Sequence, residues 1–96
     1  MMGGFRPTSD PAGPEEQAIL AGVKDAVESH LGKTFTSFVA LEFTTQVVAG
    51  VNYLFKVQAD DEFLIVKVCK PLPHTNQPPF MLEARGGLNS DAPLLP

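Results

Sequence analysis

Cysteine is almost absent from this sequence, since Cys69 is the only one in 96 residues. A single cysteine cannot form a disulfide within the chain. Small domains that do without disulfides are typical of reducing compartments. The cysteine content therefore predicts a cytoplasmic protein.

Clustered basic residues and long apolar runs are also missing. Seven Lys and Arg stand against eleven Asp and Glu, for a net charge of −4, and the basic residues form no run. Because phosphate binding needs clustered cations, no nucleic-acid partner is predicted. Arg6, Pro7 and Asp10 interrupt the first apolar stretch, which removes the centre that a signal peptide needs, and no membrane span is predicted.

The combinations of residues that support catalysis or metal binding are lacking too. The two histidines, His30 and His74, do not lie at metal-ligand spacing from Cys69. Cys69 falls in a predicted strand, where a packing role or a thiol at the rim is expected. The acidic run 60–62 lacks the alternating ligands and the glycine of a calcium loop, so it predicts a solvated turn. We predict no enzymatic activity, no metal and no cofactor.

The first third of the chain combines an arm with a helix. Residues 1–13 are rich in Gly, Pro and small polar residues, which predicts a flexible amino-terminal arm. A single helix is predicted from Pro14 to Leu31, followed by Gly32 as its cap. Its apolar face repeats every four residues, at Ile19, Val23, Val27 and Leu31. Gly22 costs this helix about 1 kcal/mol relative to alanine, and we expect close packing on a sheet to be the reason.

After Gly32 the apolar residues alternate, which is typical of strands. Residues 38–47, 51–59 and 62–70 predict three strands, Phe80–Glu83 predicts a short fourth, and 86–96 predicts an irregular tail. Short links between consecutive strands imply an antiparallel meander whose apolar face is covered by the helix. The sequence therefore predicts one α+β domain over residues 1–96, with four to five antiparallel strands.

Apolar residues occupy two strand junctions where turn residues are usual. The stretch "QVVAG", Gln46–Gly50, joins the first two strands, and "LPH", Leu72–His74, follows the third. Alternate junctions of a meander fall at the same end of the sheet, so the two stretches should lie side by side. The charged turn at Asp60–Asp61 should lie at the opposite end. An apolar patch collected at one end predicts a binding edge.

The stretch Gln46–Gly50 resembles the Gln-x-Val-x-Gly signature of the cystatins, which inhibit papain-like cysteine proteases. Its full form is similar to that of the stefins, the intracellular type 1 cystatins. The opening "MMGG", the helix, the flanking "VNYLFKV" and the later "LPH" support the resemblance, which covers about residues 1–78. The resemblance implies the cystatin fold, a curved antiparallel sheet wrapped around one α-helix.

The resemblance also implies a function, namely reversible, tight-binding, competitive inhibition of papain-like proteases of the cathepsin L, S, H and B class. Such an inhibitor fills the active-site cleft with three segments, an arm and two hairpin loops. The implied protease-binding residues are Met2, Gly3 and Gly4 in the arm, Gln46, Val47, Val48, Ala49 and Gly50 in the first loop, and Leu72, Pro73 and His74 in the second. A monomer is expected.

Two alternatives stay open: a cystatin-fold protein that binds a partner other than a protease, and a chain that self-associates by swapping a strained hairpin. The chain also departs from the stefins. A stefin usually carries an aromatic residue in its last strand and an acidic, aromatic-ended carboxyl terminus. Here "ARGG", residues 84–87, and Pro93–Pro96 occupy that stretch, and Cys69 stands where an aromatic is common. These departures leave the length and pairing of the last strand open.

Overall fold

The alternating residues after Gly32 form four long strands, and two helical segments before them cover one face of the sheet. The computed structural model describes residues 9–88. In chain order, the elements are β1 (Asp10–Pro11), α1 (Pro14–Ala21), α2 (Lys24–Leu31), β2 (Phe38–Val48), β3 (Gly50–Ala59), β4 (Glu62–Lys70), a 3₁₀ turn (Pro73–Thr75) and β5 (Phe80–Leu88).

The sheet is an antiparallel meander with the order β1-β2-β3-β4-β5, so each strand pairs with its neighbours in the chain. The predicted α+β class and the predicted strand number are confirmed. Within residues 9–88, none of the helices is long and apolar enough to cross a membrane.

The predicted single helix is wrong in one respect, because the chain forms two segments. Gly22 still has αR dihedral angles, whereas Val23, with φ −113° and ψ 7°, leaves the helical path. The Val23 N–H bonds to the carbonyl of Leu20, three residues back, instead of four. Gly22 is exposed, and a Cβ there would meet only the carbonyl oxygens of Ile19 and Ala18, at 3.4 and 3.8 Å. Gly22 therefore weakens the helix at the break instead of allowing close packing on the sheet.

The apolar stripe of the helical segments nevertheless continues across the break. Ile19, Val23 and Val27 are all buried against the sheet. At the start of α1, the Glu16 carboxylate accepts a hydrogen bond from the Gly13 N–H at 2.9 Å, which caps the helix. The two segments thus bury one common face, as the four-residue repeat predicts.

Both ends of the described chain are more ordered than predicted. Asp10–Pro11 lies within the stretch expected to be a flexible arm, but it pairs with Phe43 and Glu42 at the edge of β2. The last strand continues past Glu83 to Leu88, so Gly86–Leu88 belong to β5 and not to an irregular tail. Two register shifts between β4 and β5 accommodate the extra residues.

The sheet buries its helix-facing side in one apolar core. Phe55, Val57, Leu64, Val66 and Val68 are fully buried there, in the alternating positions that the sequence predicts. Tyr53 stacks on Phe55 with ring centroids 5.5 Å apart. On the outer face of the sheet, Leu54 and Ile65 form a second, smaller cluster with Leu88. This cluster explains why Leu54 interrupts the polar side of β3, and it ties down the end of β5.

Polar groups hold together the end of the sheet that carries the Asp60–Asp61 turn. The Asp60 carboxylate accepts hydrogen bonds from the N–H groups of Thr36 and Ser37, at 3.1 and 2.8 Å. The Glu62 carboxylate accepts one from Lys33 Nζ at 2.7 Å and one from the Gly87 N–H at 3.0 Å. These bonds connect the end of α2, the start of β4 and the end of β5.

The Glu62 carboxylate should make stability depend on pH. Its hydrogen bond with Lys33, and then that with the Gly87 N–H, hold the pKa of Glu62 below its ordinary value of 4.5. A lowered folded-state pKa adds stability that is fully present above the ordinary pKa and is lost as the pH falls through the folded value. Because the Lys33 side chain is half exposed and water screens the pair, Glu62→Gln should lower the free energy of unfolding by at most about 1 kcal/mol at neutral pH, and the difference from the wild type should shrink in acid.

Urea unfolding at neutral and acidic pH measures this difference, with Glu83→Gln as the matched control because Glu83 is exposed in β5. A Glu62→Gln variant that loses the same stability at both pH values would show that the Glu62 charge is not the cause.

Candidate functional site

The first hairpin presents an apolar tip. Val48 pairs with Gly50 and Val47 pairs with Val51, which leaves Ala49 alone at the turn between β2 and β3. Val47 is 70% exposed, the most exposed of the large apolar side chains in residues 9–88, whereas Val48 is half-buried. The hairpin therefore offers a pre-formed apolar side chain to a partner, held in place by the pairing of Val47 with Val51.

Gly50 holds this hairpin against the second loop. Its φ of +117° lies in a region that L side chains rarely adopt. A Cβ at Gly50 would also lie 2.6 Å from the carbonyl oxygen of Lys70, 3.2 Å from Pro71 Cα and 3.4 Å from the Leu72 nitrogen. Gly50 thus allows a close approach within the chain itself, between the first hairpin and the backbone where β4 ends and the second loop begins.

Two hydrogen bonds and two prolines restrain the second loop. Leu72 is 41% exposed, and Pro73 and His74 beside it are exposed. The Leu72 carbonyl accepts hydrogen bonds from the Thr75 N–H at 3.1 Å and from Thr75 Oγ1 at 2.7 Å, which close a 3₁₀ turn. Since proline restricts φ at Pro71 and Pro73, little freedom remains to be lost on binding.

Gln46 is held by a residue that the sequence analysis missed. The Asn52 side-chain Nδ2 donates a hydrogen bond to Gln46 Oε1 at 3.1 Å, across the hairpin and directly behind its tip. The register could have indicated it, because a Val48–Gly50 pair puts Asn52 opposite Gln46. Asn52 thus braces the two strands that carry the tip.

The two loops carry no formal charge at neutral pH. Residues 46–50 and 71–76 contain no Asp, Glu, Lys or Arg. Lys70, which precedes the second loop, forms an ion pair with Glu15 at 3.8 Å between Nζ and Oε1, and this pair is solvent-exposed and contributes little. Burial raises the pKa of the Tyr53 hydroxyl, and the Glu15 and Glu16 carboxylates raise it further. Docking of this end on an apolar surface therefore requires little desolvation of charge.

The structure brings together two of the three predicted binding segments. The loops Gln46–Gly50 and Leu72–His74 lie side by side at one end of the sheet, and the Asp60–Asp61 turn lies at the other, as predicted from the meander. Met2, Gly3 and Gly4 lie outside the described residues. Between residues 9 and 88, no group of three His, Cys, Asp or Glu side chains could hold a metal ion.

Comparison with known proteins shows the family to which the chain belongs. The model of the cystatin domain matches residues 3–83. Stefin-C of Bos taurus is 49% identical over 78 residues, which cover 80% of this chain and 76% of that protein. Cystatin-B of Bos taurus is 47% identical over 79 residues, 81% of each chain, and Cystatin-A of Felis catus is 45% identical over 74 residues, 76% of each. The chain therefore belongs to the cystatin family, in the group of the stefins.

Proposed function

We propose that this chain is a reversible, tight-binding, competitive inhibitor of papain-like cysteine proteases, acting in the cytoplasm. The observation that carries the proposal is the exposed apolar wedge, here defined as the two loops Gln46–Gly50 and Leu72–His74 clamped together at Gly50. The chain also belongs to the cystatin family, whose members are protease inhibitors according to the resemblance given above, and this supports the same function. Cathepsins of the L, S, H and B class are the proposed targets.

The proposed mechanism is occlusion of the cleft and requires no chemistry by the inhibitor. Val47 and Leu72 add apolar contact area, and the cleft loses the water that a substrate would displace. Because both loops are already ordered, binding costs less conformational entropy than a flexible peptide would. The hairpin enters with its tip first, so no extended peptide bond lies across the active-site thiolate, and the inhibitor should leave intact.

Titration of active-site-titrated cathepsin L with the full chain tests this proposal. We expect inhibition competitive with substrate, with an inhibition constant in the nanomolar range or below that is typical of pre-organised protease inhibitors. Mass spectrometry after prolonged incubation should find an uncleaved chain. Full protease activity in the presence of about 1 μM inhibitor would mean that any complex is weaker than a tight-binding one. This result would rule the function out.

Removal of residues 1–4 tests the role of the arm. We expect the inhibition constant to rise about 10- to 100-fold, mainly through faster dissociation, since affinity changes in related complexes appear mostly in that rate. The free energy of unfolding should not change, because the described contacts of the amino-terminal segment begin at Asp10. Unchanged inhibition by the shortened chain would remove Met2, Gly3 and Gly4 from the binding site.

A further inference from the structure

Large apolar side chains are exposed at only a few places in residues 9–88, and their distribution is uneven. Two of them, Val47 and Leu72, belong to the wedge. Two more open the last strand directly after the second loop, namely Phe80, 46% exposed, and Leu82, 44% exposed. The remaining pair, Val39 and Leu41, lies at the other end of the sheet, where β2 begins.

Phe80 lies in a cross-strand row immediately behind the wedge. The register places Gln46, Asn52, Cys69 and Phe80 opposite one another on β2, β3, β4 and β5. This row is two residues behind the Val48–Gly50 pair, or about 7 Å at the usual rise per residue of a strand. A partner that receives the tip of the hairpin to that depth meets Phe80 at the rim of its cleft.

Leu82 adds to this surface at the edge of the sheet. It lies at a register shift, where β4 passes from Lys67 to Val68 while β5 passes from Glu83 to Met81. No other strand in residues 9–88 pairs with the outer edge of β5. Residues 71–82 contain no Asp, Glu, Lys or Arg, so the chain carries no formal charge from the second loop to Leu82. The first charged cross-strand pair beyond Leu82 is Lys67–Glu83.

We propose that Phe80 and Leu82 form a lateral extension of the wedge that contacts an uncharged, apolar part of the protease rim beside the second loop. This rests on the proposed function and deepens it, because it makes the start of β5 a determinant of selectivity among papain-like proteases. Enzymes with an apolar rim at that position bind more tightly than enzymes with a charged one. Two side chains alone fall far short of the total of about 1,200 Å² that a stable interface between two copies buries, whereas an extension of the wedge needs no independent area.

The double variant Phe80→Ser/Leu82→Ser tests the extension. Val39→Ser/Leu41→Ser is a closely matched control, since its residues are 44% and 38% exposed and Leu41 also lies at a register shift, between Ala40 and Glu42. Inhibition constants are measured against several papain-like proteases, and thermal unfolding is followed for every variant. We expect the first variant to weaken inhibition about 10-fold, by a factor that differs between enzymes, and the control to change it less than twofold.

A second variant guards against loss of folding. Leu82→Lys keeps Phe80 in place and adds a charge at an exposed position, and it should weaken inhibition of the same enzymes. Unchanged inhibition constants for folded Phe80→Ser/Leu82→Ser would overturn the extension and leave the wedge standing, provided that the wild type inhibits. A wild type that inhibits no protease would refute the proposed function itself. Sedimentation that shows a dimer abolished by the double variant would assign the surface to a second copy and overturn the proposal.

Discussion

Val47→Asp is expected to raise the inhibition constant against cathepsin L at least about 100-fold, or about 2.7 kcal/mol. The exposed Val47 side chain projects from the hairpin behind Ala49, where a bound cleft would enclose it. A carboxylate there must lose its water in an apolar cleft without gaining a partner, which costs several kcal/mol. In the free protein the same carboxylate stays in water, so the free energy of unfolding should hardly change. Inhibition assays and thermal unfolding of one preparation measure both quantities.

Val39→Asp is the matched control for this prediction. Val39 is an exposed valine on the same strand, at the end of the sheet that faces away from the wedge. Val48 is less suitable for a test, because it is half-buried and a charge there could disturb the hairpin. If Val47→Asp inhibits as strongly as Val39→Asp, the first loop does not enter the cleft.

Gly50→Ala is expected to lower the free energy of unfolding by about 2 to 4 kcal/mol and to weaken inhibition strongly. Two costs combine at this position, the φ of +117° and the 2.6 Å contact of a Cβ with the Lys70 carbonyl oxygen. The Lys70 oxygen is backbone, so it cannot move without shifting β4 and the second loop. The two halves of the wedge would separate, and the midpoint of thermal unfolding should fall by about 4–8 °C per kcal/mol for a domain of this size.

Gly32→Ala separates the two costs. Gly32 has a φ of +69° at the end of α2, and no atom would lie within 4 Å of its added Cβ. This control should lose about 1 kcal/mol from backbone conformation alone, with normal inhibition because it lies far from the wedge. Equal losses of stability in both variants, with inhibition intact in Gly50→Ala, would mean that the contact between the loops does not set the site.

Much of the fold could be predicted because its signals are local. The four-residue repeat of Ile19, Val23 and Val27 defines a buried face because residues about one helical turn apart lie on the same side. The alternation in β3 and β4 defines a buried face because successive side chains of a strand point to opposite faces of the sheet. The extent of β5 could not be predicted, because "ARGG" has little strand propensity of its own. It is held by its partners, the Glu62 carboxylate at Gly87 and the outer cluster at Leu88.

The residues of the two loops could likewise be named from sequence, because apolar residues at strand junctions are unusual and the order of a meander places alternate junctions together. The sequence does not rank them, whereas the structure shows Val47 as the most exposed and Val48 as half-buried. The sequence identifies Asn52 and Phe80 only as strand residues, and their positions behind the wedge follow from the cross-strand register.

By itself, the sequence determined the fold class, the buried stripe of the helix, the alternating core of the sheet and the identity of the two apolar loops. Only the tertiary structure decided the break at Gly22, the length of the last strand, the contact of Gly50 with Lys70–Leu72 and the place of Phe80 beside the wedge. The physical reason is the separation along the chain over which each signal acts. Periodicity acts between residues a few positions apart, whereas register shifts and close backbone contacts depend on strands that meet only after the chain has folded.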